Sequence, residues 1–593
     1  DARDAPRGIL HSRLTIPVRS GPLTLLYPKW IPGEHGPSGP ISDLVGLKLR
    51  ANGRELSWRR DPLDLYSFHC EIPAGAQTLE VSLDFLSPAG TSGFSAGAST
   101  TPHLAVLSWN QLLLYPSGRS AASWTYEPRL RLPEGWQFGS ALRVVQQNGA
   151  EVEFAPVSLE TLVDSPLIAG RHFRQISLGE ADGRQHSIAM VADEETALEL
   201  KPDAEAGLRR LIQEAGALFG SRHYNRYTFL LTLSDHVAHF GLEHHESSDN
   251  RMAADVLTGN RAGASLGALL PHEYVHSWNG KYRRPEGLVT ENFDQPMNTA
   301  MLWVYEGLTS YWGYVLAARS GLWSAEEFRG RIAQRAAALD HRVGRTWRPL
   351  EDTAVSAQFL YYARPGWNDW RRGTDFYDEA ALIWLETDIL LREKSNGRYS
   401  LDEFARRFYG GGSSGPAVIP YRFQDIVSTL AEMVPFDWEG FLTERLRSTA
   451  PRAPLGGIEG GGWRLVYREM PPGGSRSGSD DSQAADLEFS LGISVNREGV
   501  IRSVIPGQPA DRAGIAPEMK VVAVNGRKYT AAGIRQAIQE ARHSPQPIEL
   551  LIENREYYQT YRLDYHAGER YPALERDTSR ADLLSEILRP LTR

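Results

Sequence analysis

The stretch that decides the fold of this chain is HEYVH at 272–276, an H-E-x-x-H pattern. Residues four apart lie on one face of a helix, so His272 and His276 present two imidazoles to a single metal ion. Glu273, one position further round, is placed to take a proton from a metal-bound water. Pro271 suits the first turn of such a helix, where its missing N–H costs nothing. Two histidines on a helix can also form an ordinary surface pair, so the metal prediction depends on further residues.

A third ligand is predicted in the stretch 301–312, which reads as one apolar helix with Glu306 as its one acidic residue. Catalytic zinc usually takes three protein ligands and keeps one position open for water. A carboxylate among aromatic and aliphatic neighbours is rarely unpaired, because burying a lone charge is costly. A salt-bridged structural glutamate is the alternative. We expect one Zn²⁺ per chain, held by His272, His276 and Glu306.

Three sequence motifs resemble those of the glycyl aminopeptidase family of gluzincin zinc metallopeptidases. They are HEYVHSWNGKYRRP at 272–285, WVYEGLTSYWG at 303–313 and GLEHHES at 241–247. The resemblance spans most of the chain. It implies a catalytic domain like those of aminopeptidase N and thermolysin, and a zinc-dependent aminopeptidase that favours Gly or Ala at the N-terminus of its peptide substrates.

The resemblance also implies roles for residues outside the metal motif. Tyr377 matches the position of a catalytic tyrosine that donates to the oxyanion, although Glu379-Ala380 departs from the usual lysine and glycine. Glu243 resembles an acidic residue that pairs with the substrate α-ammonium and fixes the cut one residue from the end. Gly241 and Leu242 accompany Glu243 in substrate binding. Glu246 is the alternative anchor, and a solvated acidic loop is the plain alternative.

The chain departs from the resemblance beside the metal ligands. Relatives often carry an acid four residues after the glutamate ligand, where this chain has Ser310. Ligating histidines usually donate their second nitrogen to a nearby acceptor. Asp294, on the intervening loop, is one possible source. His244 and His245 are expected to line or support the cleft without binding metal.

Two other functions remain open from the sequence. A zinc endopeptidase would share the chemistry but would need no amine anchor, so Glu243 distinguishes the two. A peptide-binding scaffold would need none of the residues His272, Glu273, His276 and Glu306, so their presence together argues against it.

Composition limits the partners and the location of the protein. The chain has 593 residues, 41% of them hydrophobic and 23% charged, with a net charge of −9. This charge is unfavourable for nucleic acid, and no apolar run approaches the length of a membrane span. Cys70 is the only cysteine, so no internal disulfide is possible. The first residue, Asp1, suggests a removed leader, and the resemblance favours a periplasmic or secreted protein, with the cytoplasm as an alternative.

The pattern along the chain predicts a multidomain α+β protein. Residues 1–170 alternate in short runs typical of strands, with a hairpin turn at Asn52-Gly53. Their aromatic and proline-rich segment 27–33 is expected to pack rather than to reach the cleft. Residues 171–455 form the thermolysin-like domain and are mostly helical after a few strands. One amphipathic helix is predicted from Asp203, a candidate N-cap, to Phe219.

The C-terminal part resembles a PDZ domain at 456–566. A strand at 463–467 precedes a flexible insertion at 471–486, which is rich in Gly, Ser and Asp. Residues Ser490, Leu491, Gly492 and Ile493 resemble the loop whose N–H groups hold a peptide carboxylate beside an edge strand. A helix at 531–542 would form the other wall. Peptide binding and a packing role are equally compatible with these residues, and the tail 567–593 is predicted to be helical.

Overall fold

The computed structural model describes residues 1–91, 93–94, 96–259, 262–363, 366–470 and 484–592. It confirms a multidomain α+β architecture with a β-rich N-terminal region, a mostly helical middle region and a C-terminal PDZ region. Among the helices of these residues, none combines the length and apolarity needed to cross a membrane.

The N-terminal region is built from two four-stranded sheets and several smaller ones. The two larger sheets share a core that includes Leu25, Phe68 and Val81. Asn52 and Gly53 have positive φ and join two antiparallel strands, which confirms the predicted hairpin. The strands are Ile9–Pro17, Gly21–Leu26, Leu44–Ala51, Arg54–Leu56, Trp58–Arg60, Ser67–Ile72, Thr78–Leu86, Leu104–Leu107, Tyr115–Pro116, Thr125–Tyr126, Arg129–Arg131, Gln137–Ser140, Val144–Asn148, Glu151–Phe154, Val157–Ser158 and Leu167–Gly170, and the described residues of this region also form an α-helix, Leu159–Val163.

The middle region combines one five-stranded mixed sheet with a set of helices. The sheet runs in the order His172–Ala181, Arg184–Ala192, Arg226–Leu233, Ser247–Met252 and Phe240–Glu243, and its last strand is antiparallel to its neighbour. The helices are Pro202–Phe219, Ala262–Leu266, Leu270–Val275, Leu302–Tyr305, Gly307–Arg319, Ala325–Asp340, Leu350–Val355, Ala357–Leu360, Asn368–Arg371, Asp378–Lys394, Leu401–Ala405, Phe423–Met433, Trp438–Arg447 and Gly456–Gly460. Two short strands, Arg283–Pro285 and Ile419–Tyr421, pair in parallel.

Two helix boundaries differ from the sequence prediction. Asp203 is not an N-cap, because the helix already begins at Pro202 with Lys201 as its N-cap. Proline is favoured in this first turn because it has no N–H to leave unsatisfied. The stretch 301–312 is not one helix either: Leu302–Tyr305 ends and Gly307–Arg319 begins at Glu306. The proposed ligand therefore lies at a junction between two helices.

The C-terminal region differs from the prediction at its edges. Its strands are Ala485–Leu487, Ile493–Val495, Ile501–Val504, Lys520–Val524, Arg527–Lys528, Ile548–Asn554 and Tyr557–Leu563, and its helices are Pro509–Arg512 and Ala531–Ala541. Most of the predicted insertion, 471–483, lies outside the described residues. Ala485 and Asp486, which the composition assigned to that flexible insertion, belong to a strand.

The predicted strand at 463–467 is present as Trp463–Arg468, but it does not join the PDZ sheets. It pairs with Tyr571–Arg576, so the tail predicted to be helical is partly a strand, followed by a short helix at Leu583–Ile587. Leu574 and Leu584 pack into the core of the middle region. The apolar side chains of the tail are buried there, and this burial explains why the tail folds onto the catalytic region.

Candidate active site

The H-E-x-x-H motif lies on a short buried helix, Leu270–Val275, called here the motif helix. His276 follows as its C-cap in helical geometry. The motif helix packs against Gly307–Arg319, called the ligand helix, and against Phe240–Glu243, called the rim strand. These three elements bring the motif, Glu306 and the GLEHHES segment together.

The three predicted metal ligands converge. The Nε2 atoms of His272 and His276 each lie 3.2 Å from Oε2 of Glu306 and 3.1 Å from one another. Their ligand atoms form a cluster within 4.8 Å, and His276 and Glu306 are buried. Burial acts to raise the pKa of Glu306, but the nearby imidazoles of His276 and His272 outweigh it and hold that pKa well below its usual range. Two imidazoles and a carboxylate are the donor set that catalytic zinc takes, so these residues fit the ion.

The second nitrogen atoms of the two histidines meet local groups. Nδ1 of His276 donates to the carbonyl of Asn279 at 2.9 Å, and Nδ1 of His272 lies 3.4 Å from the Ser310 hydroxyl. Ser310 therefore stands where relatives often have an acid. The suggestion that Asp294 supports the ligands was wrong: Asp294 lies near Asp64 and Lys29, and burial raises its pKa.

Glu273 is buried beside the predicted ligands and packs against the rim strand. A Cβ on Gly241 would lie 2.1 Å from Oε1 of Glu273, so only glycine leaves room for the carboxylate. Burial raises the pKa of Glu273 to about 8, and the carboxylates of Glu243 and Glu306 act in the same direction. A carboxyl group with a pKa near neutrality can both accept and return a proton.

Glu243 is brought to the same cluster. Its carboxylate lies within 4.8 Å of the ligand atoms of Glu273 and His276, and it accepts a hydrogen bond from the Tyr305 hydroxyl. Burial opposes ionisation, but His276 and Lys281 outweigh it and lower the pKa of Glu243. Glu246, the alternative anchor, instead accepts the backbone N–H of Asn225 at 2.6 Å.

His244 and His245 support the wall of the cleft. Asp164 accepts from the backbone N–H of His245 at 2.8 Å and from Lys281 Nζ at 2.8 Å, and it lies 3.3 Å from Nδ1 of His244. A small pocket beside this group is lined by Leu242 and His244 from the rim side and by Ile31 and Pro32 from the N-terminal region.

Tyr377 lies at the start of the long helix Asp378–Lys394, with its ring centroid 6.1 Å from that of His272. Its hydroxyl is 2.6 Å from the hydroxyl of Tyr361. Burial raises the pKa of Tyr377 well above its usual value, so the phenol is protonated and able to donate. Glu379, where the local sequence departs from the usual pattern, is ion-paired with Arg345 and Arg372.

His35, which no sequence pattern indicated, reaches the cluster from the N-terminal region. Its Nε2 donates to Oε1 of Glu306 at 2.5 Å, and its ring is buried against those of Tyr305 and Tyr361. Gly33 is equally close: its φ is +91°, and a Cβ there would lie 2.7 Å from Leu242 and 2.9 Å from Glu243. The packing role expected for the segment 27–33 was therefore incomplete. The aromatic and proline-rich composition was the available signal, but nothing in it indicated the partner.

The PDZ groove residues are also placed together, but the edge is not open. The strand Ile493–Val495, called the groove strand, pairs with Ile501–Val504 on one side and Ala485–Leu487 on the other. The expectation of a free edge strand beside Ser490, Leu491, Gly492 and Ile493 was wrong for this structure, because the preceding residues fold back as a hairpin.

These observations define a metallopeptidase: a motif helix and a ligand helix gather two histidines and two glutamates beneath a β-rich domain. Family models match the M61 glycyl aminopeptidase domain at residues 265–383, the peptidase M61 N-terminal domain at 1–171 and a PDZ domain at 476–553. Residues 1–171 and 265–383 therefore match the two domains of M61 glycyl aminopeptidases, a PDZ domain follows the catalytic region, and the protein is a metallo-aminopeptidase. These domain matches imply zinc.

One solved structure shares the fold of the whole chain, and two others are more distantly similar. An aminopeptidase N family protein from Idiomarina loihiensis is 19% identical, with 99% of each chain covered and a TM-score of 0.80. An M1 zinc metallopeptidase from Deinococcus radiodurans is 15% identical over 74% of this chain and 90% of its own, with a TM-score of 0.45. Yeast LTA4 hydrolase in complex with bestatin is 13% identical over 76% and 67%, with a TM-score of 0.46. The comparison with curated proteins gave no match.

Proposed function

We propose that this protein is a zinc aminopeptidase that holds one Zn²⁺ per chain and removes small residues, Gly or Ala, from the N-terminus of peptides. His272, His276 and Glu306 would hold the ion. Zinc, when bound, polarises a peptide carbonyl and lowers the pKa of a water molecule. The remaining chemistry is assigned to side chains of this chain.

The observation that carries the proposal is the position of Glu243. Its carboxylate belongs to a cluster in which the ligand atoms of Glu243, Glu273 and His276 lie within 4.8 Å of one another. Glu243 is the last residue of the rim strand, which packs against the motif helix. A buried, ionised carboxylate at this distance favours a substrate group of positive charge, such as a free α-ammonium. The substrate of an endopeptidase has no positive charge at this position, because its chain continues there as a neutral peptide.

Each acidic or phenolic group then has a distinct task. Glu273 accepts the proton of the attacking water and passes it to the leaving amine. The Tyr377 hydroxyl donates a hydrogen bond to the oxygen of the scissile carbonyl as negative charge develops on it. Glu243 holds the ammonium, with Gly241 and Leu242 beside it, and so fixes which bond meets Glu273.

The walls around Glu243 favour a small first residue. Gly33 of the N-terminal region packs directly on Leu242 and Glu243. The rings of Phe94, Tyr361 and His35 follow one another beside the cluster, with centroids 5.3 Å and 6.1 Å apart. Large aromatic side chains leave little volume next to the anchor, and overfilling a packed site is unfavourable.

Hydrolysis of p-nitroanilides tests the proposal. Glycyl and alanyl p-nitroanilide should be cleaved, N-acetyl-alanyl p-nitroanilide should be cleaved at least about 100-fold more slowly, and a chelator should abolish cleavage until zinc is restored. Equal cleavage of the acetylated compound would exclude the aminopeptidase assignment.

Glu243→Gln tests whether Glu243 itself binds the substrate ammonium or whether the acidic character of its segment is sufficient. This variant should lose about 100-fold in kcat/KM on alanyl p-nitroanilide, since it keeps the shape of the side chain but not the charge. Glu246→Gln is the matched control, because Glu246 lies on the same segment and bonds to Asn225 instead. If both variants kept full activity, Glu243 would not be the anchor.

A further inference from the structure

The PDZ region contains a groove whose three walls are all present. The groove strand Ile493–Val495 forms one wall, and the helix Ala531–Ala541, called the groove helix, forms the other. The loop 488–492 closes one end. A peptide that binds such a groove adds a strand to the free edge of the groove strand and places its terminal carboxylate against the N–H groups of the loop.

The strand Ala485–Leu487, called the strap, occupies this position. It pairs antiparallel with the groove strand, with Ala485 opposite Val495, Asp486 opposite Ser494 and Leu487 opposite Ile493. On the far side the groove strand is bonded to Ile501–Val504, so both of its edges are filled. The strap also packs against the groove helix.

The side chains of the strap occupy the apolar interior of the groove. Ala485 is fully buried and Leu487 is 2% exposed, and both belong to one core with Ile534 and Ile538 of the groove helix. Asp486, between them, points outward and is exposed. This alternation is what an extended ligand shows when it lies between a strand and a helix.

The N–H groups of the loop are also engaged. The backbone N–H groups of Ser490 and Gly492 both donate to the carbonyl oxygen of Leu487, at 3.0 Å each. Gly492 has a φ of +81°, which turns its backbone toward this oxygen. The Leu487 carbonyl thus accepts from the loop that would otherwise receive a terminal carboxylate, and the Leu487 side chain fills the apolar position beside it.

We infer that the ligand of this groove is the strap itself, an internal segment of sequence Ala-Asp-Leu that closes the PDZ domain to peptide C-termini. A free peptide must displace a ligand that is tethered through only five residues. The effective concentration of a ligand on so short a tether is on the order of 1 mM, so free peptides bind much more weakly than to an open groove. The peptide class that fits after displacement ends in an aliphatic residue with a free carboxylate.

A cysteine pair tests the position of the strap in the full-length protein. Opposed residues of an antiparallel pair have Cβ atoms about 4.5–5.5 Å apart, within reach of a disulfide. Asp486→Cys with Ser494→Cys should therefore crosslink under mild oxidation, and Cys70, the only native cysteine, is buried. Asp486→Cys with Ser503→Cys is the control, because two strand spacings of about 9–10 Å prevent the bond. Equal crosslinking of both pairs, or of neither, would overturn the inference.

Peptide binding tests the consequence of closure. The probe is a fluorescein-labelled peptide ending in Ala-Ala-Asp-Leu with a free carboxylate, followed by fluorescence anisotropy, and its C-terminal amide is the negative control. Ala485→Glu combined with Leu487→Ser removes the apolar contacts of the strap and should tighten binding at least about tenfold relative to the unmodified protein. Asp486→Ser, at the outward position, should leave the affinity as it is.

The remaining outcomes are decisive as well. Equal affinity of the unmodified protein and the double variant would show that the strap does not close the groove. Absence of binding to a double variant that keeps its melting temperature would show that the groove takes no such peptide, which also contradicts the inference. If the double variant fails to fold, the crosslinking of full-length protein still decides whether the strap lies in the groove.

Discussion

The active-site cleft and the PDZ groove both have the features of peptide-binding sites, but they differ in how their polar groups are satisfied. In the cleft, Glu243, Glu273 and Glu306 crowd around two imidazoles, and like charges at this distance repel. In the groove, the N–H groups of Ser490 and Gly492 already share the carbonyl of Leu487. The cleft is arranged to receive positive charge from outside, and the groove is completed by its own chain.

The state of the polar groups in each site indicates its function. Several carboxylates buried together are costly to keep ionised, and such a cluster marks a site that binds a cation or an ammonium. An apolar groove whose N–H groups are already hydrogen-bonded has a structural role unless a ligand displaces the segment that fills it. The same chain therefore holds one site prepared for substrate and one that is closed.

The largest effect is expected from Glu273→Gln. Without a proton acceptor beside the scissile bond, kcat on alanyl p-nitroanilide should fall about 10³–10⁴-fold. Zinc content should be unchanged, because Glu273 is not a predicted ligand. Loss of zinc together with activity would instead show that Glu273 is a fourth metal ligand.

A smaller loss is expected from Tyr377→Phe. Removing a single donor to the developing oxyanion costs about 10²–10³-fold in kcat. Since KM depends mainly on ground-state contacts, it should change little. Tyr361→Phe, which removes the hydroxyl 2.6 Å from that of Tyr377, is the informative companion and should cost less. A larger effect at Tyr361 than at Tyr377 would mean that Tyr361 is the donor.

His35→Leu is expected to weaken zinc binding about 10–100-fold, because groups that orient a ligand contribute to metal affinity. The measurement is competition with a chromophoric chelator, which is independent of activity. His35→Gln keeps a donor for Glu306 and should restore part of the affinity. His236→Gln, at an exposed position, serves as the control. An unchanged zinc affinity in His35→Leu would confine this residue to packing.

The smallest effect is on stability in acid. Burial lowers the pKa of His186 to about 4, and its Nε2 lies 2.9 Å from the Tyr224 hydroxyl. In the unfolded chain, histidine takes up its proton near pH 6.5. The contribution of neutral His186 to the free energy of unfolding is therefore complete above pH 6.5 and is lost as pH falls toward 4. At pH 5 the loss is about 1–2 kcal/mol.

His186→Gln checks this account, because glutamine keeps a polar partner for Tyr224 but does not titrate. Melting temperatures at pH 7 and pH 5 should differ less in this variant than in the unmodified protein. An unchanged difference would place the acid sensitivity elsewhere. His186 is in the catalytic region, so the PDZ region should not share this response.

The sequence predicted the parts of the site that follow from local geometry. H-E-x-x-H on a helix and Glu306 in an apolar stretch are short-range patterns, and the structure brings them together. His35 was out of reach, because its contact with Glu306 joins residues 271 positions apart, and no local pattern specifies it. Tyr305 and Tyr361 were hidden among 24 tyrosines for the same reason.

The fold shows the same division between local and long-range information. The Asn52-Gly53 hairpin is fixed by its turn residues. The pairing of Trp463–Arg468 with Tyr571–Arg576 joins residues far apart in the sequence. The strap follows a Gly- and Ser-rich run, so the local composition around Ala485 and Asp486 is typical of a loop. In both cases, burial of apolar side chains decides the structure, and the local composition does not report it.

Zinc analysis of the unmodified protein and of Glu306→Ala tests the central claim most directly. After dialysis against metal-free buffer, the unmodified protein should retain about one zinc per chain, the expectation for a catalytic site with three protein ligands. Glu306→Ala should retain almost none and lose hydrolysis of alanyl p-nitroanilide, while Glu246→Ala should keep both. A Glu306→Ala protein that retains zinc and activity would contradict the account.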